Sequence, residues 1–252
     1  MSTEDIVFLC LAVMATGILL FLFRRLAPAP LERDHNDVAG IIFATIGALY
    51  AVLLAFVVVS VWENTGKAQD TALQEANNVA SIYWLSRQLP LDQGRPVERL
   101  TLRYAHTVID QEWPEMAHGR SDPAATQLAY EIRDQVFQMN PVTLRQQVLF
   151  TDATTYVNNL ADTRRERLNF LSGAVPPFLW ICLIGGGAIT IVFTYLFEFS
   201  NTKGHILLVS LLTLLITLAL LVVKEMDYPF AGNGHVQPDA LKVFLTRLPP
   251  PR

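Results

Sequence analysis

The residues that could carry chemistry are few and scattered. Of five histidines, only His35 stands in a dense polar group, where Asn36 and Asp37 follow it just before an apolar segment. Such a group can bind a ligand or a metal, but it is also typical of the polar cap that begins a helix. We favour the cap and keep a binding role as the alternative.

Sequence motifs that define common enzyme sites do not occur. The chain has no phosphate-binding loop, no dinucleotide-binding glycine motif, no zinc-protease motif, no nucleophile elbow and no CxxC pair. No charged residue lies within the long apolar segments, where it would indicate an ion or proton relay. We therefore predict no catalytic residue, no metal and no cofactor, and we expect that the protein is not an enzyme.

Composition indicates a membrane protein. Apolar residues make up 52% of the 252 residues and charged residues only 17%, against about a quarter in typical soluble proteins. The net charge of -4 gives no reason to expect a nucleic-acid partner. Both cysteines, Cys10 and Cys182, lie within apolar segments, where we expect them to pack rather than to form a disulfide.

Four uncharged segments are long enough to cross a bilayer, whose apolar core of about 30 Å takes about 20 helical residues. They are residues 6–23, 38–61, 178–197 and 206–223. Arginines follow the first segment and acids precede it, the reverse of a cleaved signal peptide, so we expect it to be retained. Gly185–Gly187 predicts close packing or a bend in the third.

The predicted fold is all-α and integral to the membrane, with four transmembrane helices in two pairs and an inserted polar helical domain. The parts are a first pair (1–62), the polar domain (63–173), a second pair (174–224) and a polar tail (225–252). A 3.6-residue apolar period continues the second helix past Glu63. Asp122–Pro123 predicts a helix start, and Thr143 with Gln146 predicts a capping box.

The second segment has the composition of a close-packed helix. Two series of small residues recur at intervals of four: Gly40, Ala44 and Ala48, and Gly47, Ala51 and Ala55. Small residues let helices approach closely in lipid, so we expect two small faces with neighbours on both sides. An apolar row on this helix consists of Ala48, Leu49, Val52 and Phe56. The row predicts either ordinary packing or the neck of a pore that gates by dewetting.

The short loops carry the charges that set orientation. Arg24, Arg25 and Arg33 lie in the first short loop and Lys203 in the second, which by the positive-inside rule places both in the cytoplasm. Five cations near the opposite span ends almost balance this count: Lys67, Arg164, Arg165, Arg167 and Lys224. The domain on that side is long, however, and long domains cross the membrane largely regardless of charge. We expect a multi-pass protein of the cell inner membrane with its polar domain outside.

Three stretches together resemble the bestrophin-like family of bacterial membrane proteins (the DUF4239 domain). They are His35 to Phe56 with the following Val61-Trp62-Glu63, the turn from Glu112 to Met116, and the tail turn with Asp227, Pro229, Phe230 and Gly232. The resemblance covers nearly the whole chain. It implies kinship with the bestrophins, which are pentameric anion channels whose second span lines the pore with an apolar neck.

By this resemblance Val52 and Phe56 are neck residues. The resemblance also implies three kinds of partner: the lipid bilayer, further copies of the chain in a homo-oligomer such as a pentamer, and small anions. Bestrophins carry an acidic calcium-binding cluster after the tail turn, whereas no acidic run follows Gly232 here. Bestrophins also keep the polar domain in the cytosol, whereas the positive-inside count predicts a polar domain outside the cytoplasm for this chain. The alternative function is a membrane-anchored sensor or scaffold whose helical domain binds a ligand or a protein partner.

Overall fold

A computed structural model describes residues 3–26, 36–197, 201–231 and 235–249, and within these ranges it contains helices and turns but no strand. The helices are α1 (Thr3–Leu26), α2 (Asn36–Ser86), α3 (Leu91–Thr107), a π-helical turn (Val108–Glu112), α4 (Trp113–Met116), α5 (Pro123–Phe137), α6 (Leu144–Asn169), α7 (Pro177–Phe193), a 3-10 turn (Thr194–Leu196), α8 (Thr202–Asp227) and α9 (Asp239–Thr246). The prediction of an all-α membrane protein is confirmed.

One compact unit comprises Met1–Glu63 and Ala174–Asp227. It holds α1, the first part of α2, α7 and α8, which supply four candidate spans of sufficient length and apolar character to cross a bilayer. Helix α8 packs against α1 and α7. An apolar core joins α2 to this group through Val57 and Val61, which pack with Leu183 of α7 and Val223 of α8. We call this part the membrane unit.

The second compact unit comprises Asn64–Gly173 and Tyr228–Arg252, and we call it the polar unit. Two of its helices, α5 and α6, begin where the sequence predicts. The Asp122 carboxylate accepts a hydrogen bond from the Ala124 N–H at 2.7 Å, which caps α5. The Thr143 hydroxyl accepts from the Gln146 N–H, and the Gln146 side chain accepts in return from the Thr143 N–H, so α6 begins with a full capping box.

Helix α2 contributes residues to both units. It has 51 residues and no break between Asn36 and Ser86, as the continuing apolar period past Glu63 predicts. In the polar unit its buried face carries Ala68, Ala72, Ala76 and Val79, whose small side chains let other helices of the unit pack closely.

The tail differs from the sequence-based expectation of a separate segment. Phe230, Leu241 and Phe244 are buried in the core of the polar unit. The Phe230 ring packs edge-on against Trp113 with 5.6 Å between ring centroids, and Phe244 packs in the same way against Tyr83 at 5.5 Å. The described part of the tail after Asp227 is therefore a structural part of the polar unit.

Candidate functional site

The predicted neck row lies on one exposed strip of α2. Leu49, Val52 and Phe56 are 68%, 55% and 71% exposed, and Ala48 is exposed with them. The opposite side of the same helix is packed, since Tyr50 and Val57 are buried. Neighbouring residues of an α-helix differ by 100° in direction, which explains this separation into two sides. The membrane unit thus leaves a wide apolar strip of α2 uncovered.

The small residues of α2 form one face rather than the two that we expect from the sequence. Members of the two series lie seven positions apart, and seven residues bring an α-helix back to within about 20° of the same direction. Four of these residues are exposed: Ala44, Ala48, Ala51 and Ala55. A Cβ atom added at Gly40 or Gly47 would meet nothing within 4 Å. The face that allows close helix packing therefore lies open beside the neck row.

The polar group before α2 is only partly described. His35 lies outside the described residues, and Asn36 and Asp37 are the first two residues of α2. The position agrees with a helix start, while a role in binding stays a prediction.

The residues of the tail turn accept hydrogen bonds from both backbone and side-chain N–H groups. The buried Asp227 carboxylate accepts from the Val175 N–H at 2.7 Å and from the Trp180 indole N–H at 3.2 Å, which ties the end of α8 to the start of α7. In the polar unit, the Pro229 carbonyl accepts from the Val236 N–H at 2.8 Å. Gly232 lies outside the described residues. A functional role of the turn beyond these contacts stays a prediction.

Four buried charges meet inside the polar unit, a cluster that sequence reasoning missed. Arg167 of α6 donates to both oxygens of Glu75 on α2, at 2.5 and 3.0 Å, and to Glu112 at 2.7 Å. Arg164, one turn earlier, forms a two-pronged pair with the same Glu112. The Tyr104 hydroxyl donates to Glu75 at 2.6 Å. We call these five residues the ion cluster.

The ion cluster is electrically balanced and closed to solvent. Burial alone would raise the pKa of Glu112, but the hydrogen bonds and charges of Arg164 and Arg167 outweigh it and hold that pKa below its ordinary value. Burial and the neighbouring Glu75 carboxylate raise the pKa of Tyr104 well above its ordinary value, so the phenol stays protonated. Each charge has a partner of opposite sign, so the cluster suits a structural role rather than acid–base catalysis.

A π-helical turn places Glu112 in the cluster. Val108–Glu112 form this wide turn between α3 and α4, and both of its end residues are buried. An extra residue in a helical turn changes the direction of the side chains that follow. Trp113 comes next, and its ring lies 4.9 Å from the Arg167 guanidinium carbon. The spacing of Arg164 and Arg167 on one face of α6 was the available sequence signal, but their partners lie 52 to 92 positions away.

The structure holds no group of three metal-binding side chains within the described residues. The features on which function can be argued are therefore the open strip of α2 and the four apolar spans. Together they define an integral membrane protein that is helical in its described residues and in which one side of α2 is uncovered.

The chain matches the Bestrophin-like domain model over residues 10–241 and belongs to this family. Solved structures share the fold. A point mutant of a bacterial bestrophin homologue from Klebsiella pneumoniae is 10% identical to this chain, with a TM-score of 0.71. A second mutant of a bestrophin homologue from Klebsiella pneumoniae is 11% identical, with a TM-score of 0.67. A structure described as a membrane protein is 12% identical with a TM-score of 0.65. Each alignment covers 96% of both chains. A comparison with curated proteins finds no match.

Proposed function

We propose that this protein forms a homo-oligomeric, channel-type pore in the membrane and conducts small anions through a neck lined by α2. The observation that carries the proposal is the uncovered strip of α2, where Leu49, Val52 and Phe56 are exposed while the other side of the helix is packed. Membership in the Bestrophin-like family supports a channel-type protein. Anion selectivity rests on the resemblance to bestrophins.

The open face of small residues supports self-association. Ala44, Ala51 and Ala55 are exposed next to the neck row, and small residues are the ones that let helices approach closely in lipid. A neighbouring copy of the chain would cover this face and leave the row of Phe56 directed to a shared axis. A pentamer is the assembly that the resemblance suggests.

The neck would act through size and dryness rather than charge. Apolar side chains repel water from a narrow passage, and ions cross only when the passage is wide enough to stay wet. Phe56 is the largest side chain of the predicted row and would set the narrowest point. Its removal would widen the passage and favour the wet state.

Reconstitution of the purified protein in planar bilayers tests the proposal. We expect anion current from the wild type and a larger current from Phe56→Ala. Phe8→Ala is the matched control, because Phe8 is an exposed aromatic residue of α1 in the same unit, and we expect it to leave the current unchanged. Absence of current from a folded oligomer, or equal currents from Phe56→Ala and the wild type, would contradict the channel function.

A second candidate function, the binding of a ligand or protein by the polar unit, is favoured by an exposed apolar group around the turn from α5 to α6. Val142 and Leu144 are 80% and 78% exposed, and Phe137 and Val148 are exposed nearby. Under this function a structure of the oligomer would have a closed axis, and Leu144→Ser would weaken partner binding. Under the channel function the axis is open, and Leu144→Ser leaves current unchanged.

Orientation is a separate part of the proposal. The charges of the short loops favour an inner-membrane protein with its polar unit outside the cytoplasm. A cysteine introduced at the exposed Gln74, in a chain without its two native cysteines, would then react with a membrane-impermeant reagent on intact cells. Reaction only after the cells are broken would place the polar unit in the cytoplasm, as in the bestrophins.

A further inference from the structure

A buried tyrosine of α2 faces the glycine triplet of α7. Tyr50 is only 8% exposed. A Cβ atom added at Gly186 would lie 2.7 Å from Cδ2 of the Tyr50 ring, and one added at Gly187 would lie 3.0 Å from its hydroxyl oxygen. At Gly185 an added Cβ would meet nothing within 4 Å. Gly186 is therefore needed to make room for this ring. Gly187 leaves only a tight fit to the ring and to Ile216, and Gly185 does not touch the ring.

The Tyr50 hydroxyl does not hold the ring in place. It is buried, and it has no hydrogen-bond partner in the part of the chain that the structure describes. Buried side-chain hydroxyls nearly always have a partner, and one without a partner costs free energy. The steric fit of the ring into the space above Gly186 and Gly187 is what fixes its position. We call this space the glycine notch.

The ring lies on the side of α2 that faces away from the neck row. At 100° per residue, Tyr50 points about 200° away from Val52 and about 120° away from Phe56. Phe43 and Val57, seven positions before and after Tyr50, also face the rest of the membrane unit: Phe43 stacks on Phe193 at 5.8 Å, and Val57 is buried. Among these three contacts, only Tyr50 inserts against a backbone that has no side chain.

We propose that Tyr50, seated in the glycine notch, is a positioning residue that sets the rotation of α2 about its axis. Because α2 is a rigid helix, its rotation decides which side chains occupy the exposed strip. The notch thus acts on Val52 and Phe56 from the opposite side of the helix. The consequence for conduction rests on the proposed function, whereas the rotation itself does not depend on a pore.

Site-directed spin labelling measures the rotation directly. Cys10 and Cys182, both free and exposed, are first replaced by serine, and single cysteines are then introduced one at a time along residues 48–57, except at position 50. A nitroxide at each position reports its accessibility to oxygen and to a water-soluble nickel complex in lipid vesicles. The periodic variation of accessibility along the helix gives the direction in which α2 faces.

Alanine variants of the glycine triplet then test the notch. We expect Gly186→Ala to shift the accessibility pattern by a measurable fraction of the 100° between neighbouring residues. Gly185→Ala is the matched control and should leave the pattern unchanged. A shift in both variants, or in neither, would overturn the proposal.

Changes of Tyr50 complete the test, and they remain informative if Gly186→Ala does not fold. Tyr50→Phe keeps the ring, so we expect an unchanged pattern, while Tyr50→Ala empties the notch and should shift the pattern as Gly186→Ala does. An unchanged pattern in Tyr50→Ala would overturn the proposal. Failure of the proposed function has a different signature: planar bilayers would show no anion current with any variant, whatever the rotation.

Discussion

The two units of this chain differ in where they keep buried charge. In the membrane unit the buried carboxylates lie at helix ends: Asp5 in the first turn of α1, paired with Lys224 at 2.9 Å, and Asp227 at the last residue of α8. In the polar unit, Glu75 and Glu112 lie inside the helix bundle and are neutralised by two arginines. The bilayer core holds no water to solvate a charge, so in this unit a buried carboxylate costs least free energy at a helix end.

This contrast shows that the units obtain their specific packing in different ways. In the polar unit, the geometry of two guanidinium groups fixes how α2, the π-helical turn and α6 meet. In the membrane unit, steric fit fixes the packing of α2 on α7, because the Tyr50 ring occupies the space beside Gly186 and Gly187. Buried ion pairs need not add net stability, but removal of one partner is costly. Four tests follow, from the largest expected effect to the smallest.

Arg167→Ala should have the largest effect. It leaves Glu75 and Glu112 buried without one of their cationic partners, and loss of one member of a buried ion pair costs about 3–5 kcal/mol. Arg165→Ala is the control, because Arg165 is exposed and its pair with Asp162 is worth about 0.5 kcal/mol or less. Denaturant unfolding of the detergent-solubilised protein measures both. A loss below about 1 kcal/mol in Arg167→Ala would mean that the cluster does not hold the unit together.

A pair of leucine truncations compares the two cores directly. Leu160 in the polar unit and Leu183 in the membrane unit are both almost completely buried. We expect Leu160→Ala to cost about 3 kcal/mol, the usual sum of lost burial from water and a new cavity. Leu183→Ala should cost less than Leu160→Ala, because lipid is as apolar as the core and only packing is lost. Equal losses in free energy of unfolding would remove this distinction between the units.

Asp227→Ala tests a buried carboxylate at a helix end. It removes the acceptor of the Val175 N–H and the Trp180 indole N–H, and we expect a loss of about 1–3 kcal/mol. Hydrogen exchange should accelerate at the start of α7, where the Val175 amide loses its partner. Asp239→Ala, at an exposed carboxylate of α9, is the control and should change neither quantity. Unchanged exchange in Asp227→Ala would show that the carboxylate is not needed to hold this helix start.

The smallest effect is the pH dependence from Glu112. Its pKa is lowered in the folded protein, while an unfolded glutamate titrates near 4.3, about its ordinary value. The stabilisation is therefore complete above that pH and is lost as the pH falls through the lower, folded pKa. We expect the contribution of Glu112 to stay constant between about pH 6 and 8 and the unfolding free energy to decline below about pH 4.

Glu112→Gln should flatten this acid decline, and Glu166→Gln, at an exposed site on α6, should not. Urea unfolding at a series of pH values measures the difference. If the acid branches of Glu112→Gln and the wild type were parallel, the lowered pKa of Glu112 would not be a source of acid sensitivity.

Local patterns in the sequence predicted the elements of the fold. Uncharged length predicts the four spans, the continuing apolar period predicts α2 beyond Glu63, and the caps at Asp122 and Thr143 begin helices as expected. Each of these signals depends on residues within a few turns of one another. These signals therefore predict helices without any information on which helices pack together.

Contacts between distant residues could not be predicted in this way. From the sequence, Arg164 and Arg167 count only as cations near a span end, and no signal joins them to Glu75 or Glu112. The small residues of α2 predict a close neighbour, but the open face shows that the described part of this chain does not supply it. The tail reads as a separate segment until Phe230 and Phe244 are seen in the core of the polar unit.

The sequence alone determined that this is an all-helical membrane protein with four spans and a polar insertion, because hydropathy and helical period act over short distances along the chain. Only the tertiary structure decided that two arginines of α6 neutralise Glu75 and Glu112, that Tyr50 occupies the glycine notch, and which side of α2 stays uncovered. The physical reason is that charge pairing and steric fit depend on distances through space, between residues that the chain separates by 50 to 140 positions.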